Sequence, residues 1–344
     1  MSDHAQTSER RPVIVATHRL FPETACLLRE AGTLIAPAED HEALPRETMR
    51  RTAAEASALL AFMPDRIDDA FLAASPNLKI VAAALKGYDN FDGDACARRH
   101  VWLTIVPDLL TVPAAELTVG LMIGLARNLL AGDAHVRSGG YQGWRPAFYG
   151  RGLAGETAGF IGFGAIGRAI AERLQPFGIS LIYADPKPQP QAVRALGIAR
   201  LAFDEVLARA DYLIAAAPLT PATLHLIGED ALSRVKPGAL LINVARGSVV
   251  DEAAVARALH SGRLGGYAAD VYEMEDWHRL DRPRTIAQAL RDHPNTLFTP
   301  HLGSAVIRAR REIERRAADN ILDALAGRAP RDAIYGPGLR PPAS

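Results

Sequence analysis

From residue 12 onward, short β-branched or leucine-rich runs alternate with stretches of helical period. "PVIVATH" reads as a buried strand, "PETACLLREAG" as a helix and "GTLIAP" as another strand, and a long amphipathic stretch then reaches "ASALLAF". The apolar run "VAAALKG" ends in a charge, Lys86, before Gly87 and a polar turn, and this first series closes at "WLTIVPD". A helix opens afresh at "TVPAAELTVGLMIGLARNL", with Pro113 just inside its start. The aperiodic, Gly- and aromatic-rich "RSGGYQGWRPAFYGRGLAGE" predicts an extended arm. A second series runs from "TAGFIGFG" through "SLIYAD", "ADYLIAAAP", "GALLINVAR" and "LGGYAADVY" to "TLFTPHLGS". The last helix, about "SAVIRARREIERRAADNILDALAG", ends at Gly327 before a Pro-rich tail.

This rhythm predicts an α/β protein of βαβ units with mostly parallel sheets. A chain of 344 residues favours two domains over one. The fresh start near residue 111 sets the first boundary.

Charge contributes an exclusion. Lys and Arg balance Asp and Glu at 39 each, so no global field favours a nucleic acid or an anionic membrane, and an anion must be captured locally. The polar start shows no signal-peptide core, and Arg127 interrupts the apolar stretch after Pro113, so no membrane span is expected. Two cysteines, Cys26 and Cys96, form no disulfide framework or metal-ligand spacing, which fits a reducing cytoplasm and no metal.

Gly162, Gly164 and Gly167 stand in G-x-G-x-x-G spacing between a predicted strand and a predicted helix, the context that makes the spacing a dinucleotide loop. The first glycine makes the tight turn, the second admits pyrophosphate to the backbone, and the third lets helix and strand pack closely. Asp185 ends the next strand, where a carboxylate accepts from the ribose hydroxyls, so NAD is the expected cofactor. Lys187 beside it weakens the exclusion of NADP.

Arg246, Glu275 and His301 follow three later apolar runs, at the strand ends where open α/β sheets bind ligands. A His can carry a proton, a carboxylate can orient it, and an Arg can clamp an anion. Lys86 reads equally as a snorkelling lysine or as the partner of an anion.

With "RGSVVDE", "DVYEMED" and "TPHLGS" in order after the glycine loop, the chain resembles the D-isomer-specific 2-hydroxyacid dehydrogenase family from about residue 12 to 330. The resemblance implies two Rossmann-like domains, the nucleotide-binding domain (111–304, with a dimerisation arm near 135–155) inserted into a discontinuous substrate domain (1–110 and 305–344). It also implies a homodimer and a catalytic set of Arg246, Glu275 and His301, with Ala165, Ile166, Pro218, Ala245 and Asp270 joining the glycines and Asp185 at the cofactor.

Within the family, "AFMPDR", "ALKGYDNFD", "VPDLLTVPAAEL", "GYQGWRPAFYG" and "EMEDW" are similar to the members that oxidise phosphite (phosphonate dehydrogenases). That similarity adds Met63, Lys86, Gly87, Trp144, Tyr149, Ser304 and Arg310 as substrate contacts. Phosphite is a dianion near neutral pH, and Lys86, Arg246 and Arg310 would supply its positive partners. Without the similarity, Met63 reads as core filler, Arg310 as part of a solvated basic face, and Trp144 and Tyr149 equally as anchors for a partner subunit. The competing expectations are a D-2-hydroxyacid dehydrogenase acting on a carboxylate and a non-catalytic NAD(H)-sensing corepressor.

Overall fold

The computed structural model describes residues 11–38 and 41–339; the polar start and the very end of the Pro-rich tail lie outside the described residues. The chain divides into two compact units, residues 1–110 with 306–344, and residues 111–305, so the return to the first unit comes one residue later than expected.

The first unit is built on parallel strands β1 (Val13–Ala16), β2 (Thr33–Ile35), β3 (Ala58–Ala61), β4 (Ile80–Ala83) and β5 (Trp102–Thr104). They lie in the doubly wound order β2-β1-β3-β4-β5, whose switch point falls between β1 and β3. "ASALLAF" is therefore mostly strand: the helix before it stops at Ala53, and Leu59 and Leu60 are both fully buried. A short apolar run covered on both faces has no alternation to mark it as a strand.

The tail expected after Gly327 instead forms a strand, Ala333–Tyr335, antiparallel on β5. Asp332 fixes that edge by accepting from Arg316 Nε at 2.6 Å and Asn320 Nδ2 at 2.9 Å. The last helix spans Ile307–Leu325, starting later than expected, and lays Ile313, Ala317 and Ile321 into a core with Ile14, Leu60 and Ile80.

The second unit is a seven-stranded parallel sheet of β6 (Thr157–Ile161), β7 (Ser180–Ala184), β8 (Ala199–Arg200), β9 (Tyr212–Ala215), β10 (Ala239–Asn243), β11 (Leu264–Ala269) and β12 (Thr296–Phe298). Its order, β8-β7-β6-β9-β10-β11-β12, is the Rossmann order with one strand added, and the switch point lies between β6 and β9.

The stretch from Thr111 expected as one helix is two: Thr111–Ala126 ends before Asn128, whose φ of 53° is left-handed, and Leu129–Arg137 leaves at 65°. Asn tolerates that conformation better than a β-branched residue would. No single helix among the described residues is long and apolar enough to cross a membrane; the first helix of this bent pair buries Leu121, Met122 and Leu125 in the second unit's core. Residues 138–156 contain no helix or strand and form the arm.

Candidate active site

At the switch point of the second unit, Gly162 has φ +87°, and a Cβ there would come within 2.6 Å of Ala217 N, so only glycine allows this turn beside β9. Above Gly164 there is open space, and this glycine caps the helix Ala165–Leu174, whose first backbone N–H groups, from Ala165 and Ile166 onward, lack intrahelical acceptors and suit an anion. Gly167 is buried, and its Cβ position lies 3.1 Å from Gly162 O. Pro218 follows β9 and Ala245 follows β10 at the same end of the sheet.

Asp185 leaves β7 with both oxygens engaged, accepting from Phe163 N at 2.7 Å and from Lys187 N at 2.7 Å. It therefore shapes the glycine loop as well as offering lone pairs to a ribose. Arg200, which the sequence does not flag, donates to the main-chain oxygens of Asp185 and Pro186 at 3.1 and 3.0 Å and brings a cation to this strand end. Asp185→Ala is expected to raise the NADP:NAD ratio of kcat/KM and to weaken NAD itself, because the loop N–H loses its acceptor. Steady-state kinetics with both cofactors read this, and equal use of the two by the unmodified protein would contradict it.

Arg246, Glu275 and His301 follow β10, β11 and β12, three neighbouring strands of the sheet. His301 Nδ1 and Glu275 Oε2 are 2.5 Å apart, both side chains part-buried. The loop carrying His301 is anchored by a buried carboxylate. Asp270, 3% exposed, accepts from Thr299 Oγ1 at 2.6 Å, Leu302 N at 2.7 Å and Gly303 N at 2.8 Å.

The resemblance puts Asp270 at the cofactor; the structure shows its carboxylate occupied by this loop. Burial raises its pKa, against the hydrogen bonds from Thr299 and Leu302. His301 itself sits at φ 55°, a left-handed backbone that a non-glycine residue keeps only when its surroundings impose it. Ser304 lies part-buried on the same loop.

Arg246 opens a short turn, Gly247–Val249, and Asn243 Nδ2 donates to its main-chain oxygen at 3.0 Å. A Cβ on Gly247 would fall 1.8 Å from Tyr272 C, so the Arg246 turn lies directly on the backbone that leads to Glu275. The pair Glu275–His301 can hold a proton at Nε2 while Nδ1 stays on the carboxylate, the logic of a Ser-His-Asp triad without the serine.

In the first unit, Met63 follows β3 and Lys86 and Gly87 follow β4, all part-buried. Arg310, from the last helix, donates to Ala84 O at 3.1 Å and lies over the Phe62 ring at 5.6 Å. It is thus a fixed, enclosed cation, bonded two residues before Lys86, and not a solvated one; burial lowers its pKa against the field of Glu314. Trp144 and Tyr149 stand on the arm with 76% and 78% of their surface exposed. The arm folds over the helix Leu129–Arg137 around a pocket of about 390 Å³ that Trp144, His135 and Phe148 help to line.

Residues 119–303 match the D-isomer specific 2-hydroxyacid dehydrogenase, NAD binding domain. The chain belongs to the D-isomer specific 2-hydroxyacid dehydrogenase family. It is 34% identical to glyoxylate reductase of Thermococcus litoralis over 94% of this chain and 97% of that protein.

Among solved structures, the TT0316 protein of Thermus thermophilus superposes with a TM-score of 0.85 at 32% identity, over 94% of this chain and 100% of that one. An NADPH-dependent glyoxylate/hydroxypyruvate reductase of Sinorhizobium meliloti, in complex with NADP and malonate, superposes at 0.80 and 30% identity, over 97% and 100%. This dehydrogenase is therefore an oxidoreductase with an NAD-binding Rossmann domain. The residues present fit the cofactor: a positive-φ glycine, an open cradle over Gly164, a helix N-terminus, and a carboxylate at the end of β7.

Proposed function

We propose that this family member oxidises phosphite to phosphate with NAD. One observation carries the reading: Arg310 is enclosed against Ala84 O and the Phe62 ring in the first unit, at the strand end that continues into Lys86 and beside the loop that continues into Met63. Two cations on one strand end suit a small tetrahedral dianion, whereas the carboxylate of a 2-hydroxy acid is matched by a single Arg.

In this proposal Lys86, Arg246 and Arg310 are the cations for the phosphite oxygens, and Met63, Gly87 and Ser304 are further substrate contacts. His301 takes a proton from the water that adds to phosphorus, and Glu275 stabilises the resulting imidazolium. Bound NAD would supply the acceptor for the hydride that leaves the P–H bond. The balance is phosphite, water and NAD⁺ giving phosphate, NADH and a proton. The exposed rings of Trp144 and Tyr149 suit a homodimer in which the arm meets a second copy, and Trp144 and Tyr149 also remain candidate substrate contacts there. A cytoplasmic location completes the proposal.

A second reading is favoured by the names of the relatives, which are glyoxylate reductases. In that reaction Arg246 would hold the carboxylate, and His301 would give its proton to the oxygen of the 2-oxo acid. The substrate belongs to the site and not to the fold, so residues such as Lys86 and Arg310 weigh more than family-wide likeness.

The deciding experiment compares NADH formation from phosphite, D-lactate and D-glycerate with NADH consumption by glyoxylate. A higher kcat/KM for phosphite is expected. Turnover of glyoxylate without turnover of phosphite would overturn the proposal, and a pure NAD(H) sensor would turn over none of them.

A further inference from the structure

Arg279 lies in the polar run "DWHRLDRPR", which reads as a solvated loop, yet its side chain is 12% exposed. Nη1 donates to Ser248 Oγ at 2.7 Å and to Glu273 Oε2 at 3.0 Å, while Nε and Nη2 hold Asp281 at 3.3 and 3.1 Å. Ser248 stands two residues after Arg246, and Glu273 two residues before Glu275. One guanidinium therefore joins the turn that carries Arg246 to the turn that carries Glu275.

The same two turns are sewn together below that contact. Asp276 accepts from Ser248 N at 2.7 Å, and His225 N donates to Ser248 O at 2.7 Å while its Nε2 meets Glu273 Oε2 at 2.8 Å. Glu252 and Glu273 each accept from the other's backbone N–H, at 2.9 and 3.1 Å.

This gathers three buried carboxylates, Glu252, Glu273 and Asp276, each at most 5% exposed. Burial pushes Glu252 up to about 7, and the neighbouring Glu273, Asp276 and Glu275 charges add to that rise. Buried anions this close need a cation with several directed donors, which a guanidinium supplies and an ammonium does not.

We propose that Arg279 is a positioning residue that locks the Arg246 turn to the Glu275 turn, and so sets where Arg246 stands relative to the Glu275–His301 pair. Its role is exerted through Ser248 and Glu273, the groups it bonds. The inference rests on the family chemistry and not on which acid is turned over. Misplacing a catalytic group by about 1 Å can cost on the order of 10²-fold in rate.

The test uses Arg279→Ala, Arg279→Lys and Ser248→Ala in the full chain, with folding followed by circular dichroism. Nitrogen NMR of the histidine side chains, with His301 assigned by its Asn variant, reads the Glu275 contact without any substrate. Arg279→Ala should shift the His301 signal and lower kcat about 10- to 100-fold with the KM for NAD unchanged. Added guanidinium below denaturing concentration should restore both in part, and Arg279→Lys should fall between.

Ser248→Ala, which removes only the hydroxyl end of the bridge, should shift the same signal less, and it carries the test if Arg279→Ala does not fold. A purely structural role predicts a lower Tm with the His301 signal and kcat unmoved. That outcome in both Arg279→Lys and Ser248→Ala would overturn the proposal. Absence of phosphite turnover in the unmodified chain would leave the NMR result standing, which separates this inference from the choice of substrate.

Discussion

His301→Asn lowers kcat by about 10²–10⁴-fold, the range for a general acid–base group, while the protein still binds NAD. Asn is the informative replacement because it tolerates the left-handed backbone that His301 adopts at φ 55°. Its amide can also reach Glu275, as Nδ1 of His301 does at 2.5 Å. The loop should therefore keep its Asp270 anchors, leaving the loss of a titratable Nε2 as the change that matters. NADH fluorescence titration checks cofactor binding, and NADH absorbance checks turnover. Glu275→Gln should cost less, because it weakens the support of the base and keeps the base. Near-normal turnover in His301→Asn would place the base elsewhere.

Lys86→Ala raises the KM for phosphite strongly and leaves the KM for NAD almost unchanged. A charge-assisted hydrogen bond to an oxyanion contributes about 1.5–3 kcal/mol, which corresponds to roughly 10- to 100-fold in kcat/KM. Arg310 already serves the substrate in its own place, and its anchoring on Ala84 O at 3.1 Å and the face of Phe62 keeps it from moving to replace Lys86. Lys86→Arg should recover part of the loss, because charge returns on a longer, planar head. The substitution should harm a monoanionic substrate such as glyoxylate less than dianionic phosphite. If instead the phosphite KM did not move, Lys86 would be a snorkelling lysine and the charge argument for phosphite would fail.

Much of this site was legible because its chemistry is carried by local patterns. The glycine spacing of 162, 164 and 167 follows a strand and opens a helix, and each glycine has a steric reason that operates within a few residues or against the adjacent strand. Arg246, Glu275 and His301 were findable because each follows a short apolar run in the alternating strand–helix rhythm. That Asp270 also anchors the His301 loop was not legible, since nothing in "AADVY" says which backbone N–H groups its oxygens will meet. Arg310 looked like surface because it stands in the basic run "RARRE"; its Phe62 ring and Ala84 carbonyl come from more than two hundred residues away.

Sequence alone determined the βαβ rhythm, the dinucleotide loop and the three polar residues at strand ends, because period and turn chemistry act over one or two helical turns. Tertiary structure decided what lies beyond that range. It made Ala58–Ala61 a central strand by burying it on both faces, and it returned residues 333–335 to the edge of the first sheet. It also set β10, β11 and β12 side by side, so that Glu275 reaches His301 across 26 residues and Arg279 reaches Ser248 across 31. Those partners are chosen by strand order and by the need of buried charges for one another, and neither leaves a local periodic trace in the chain.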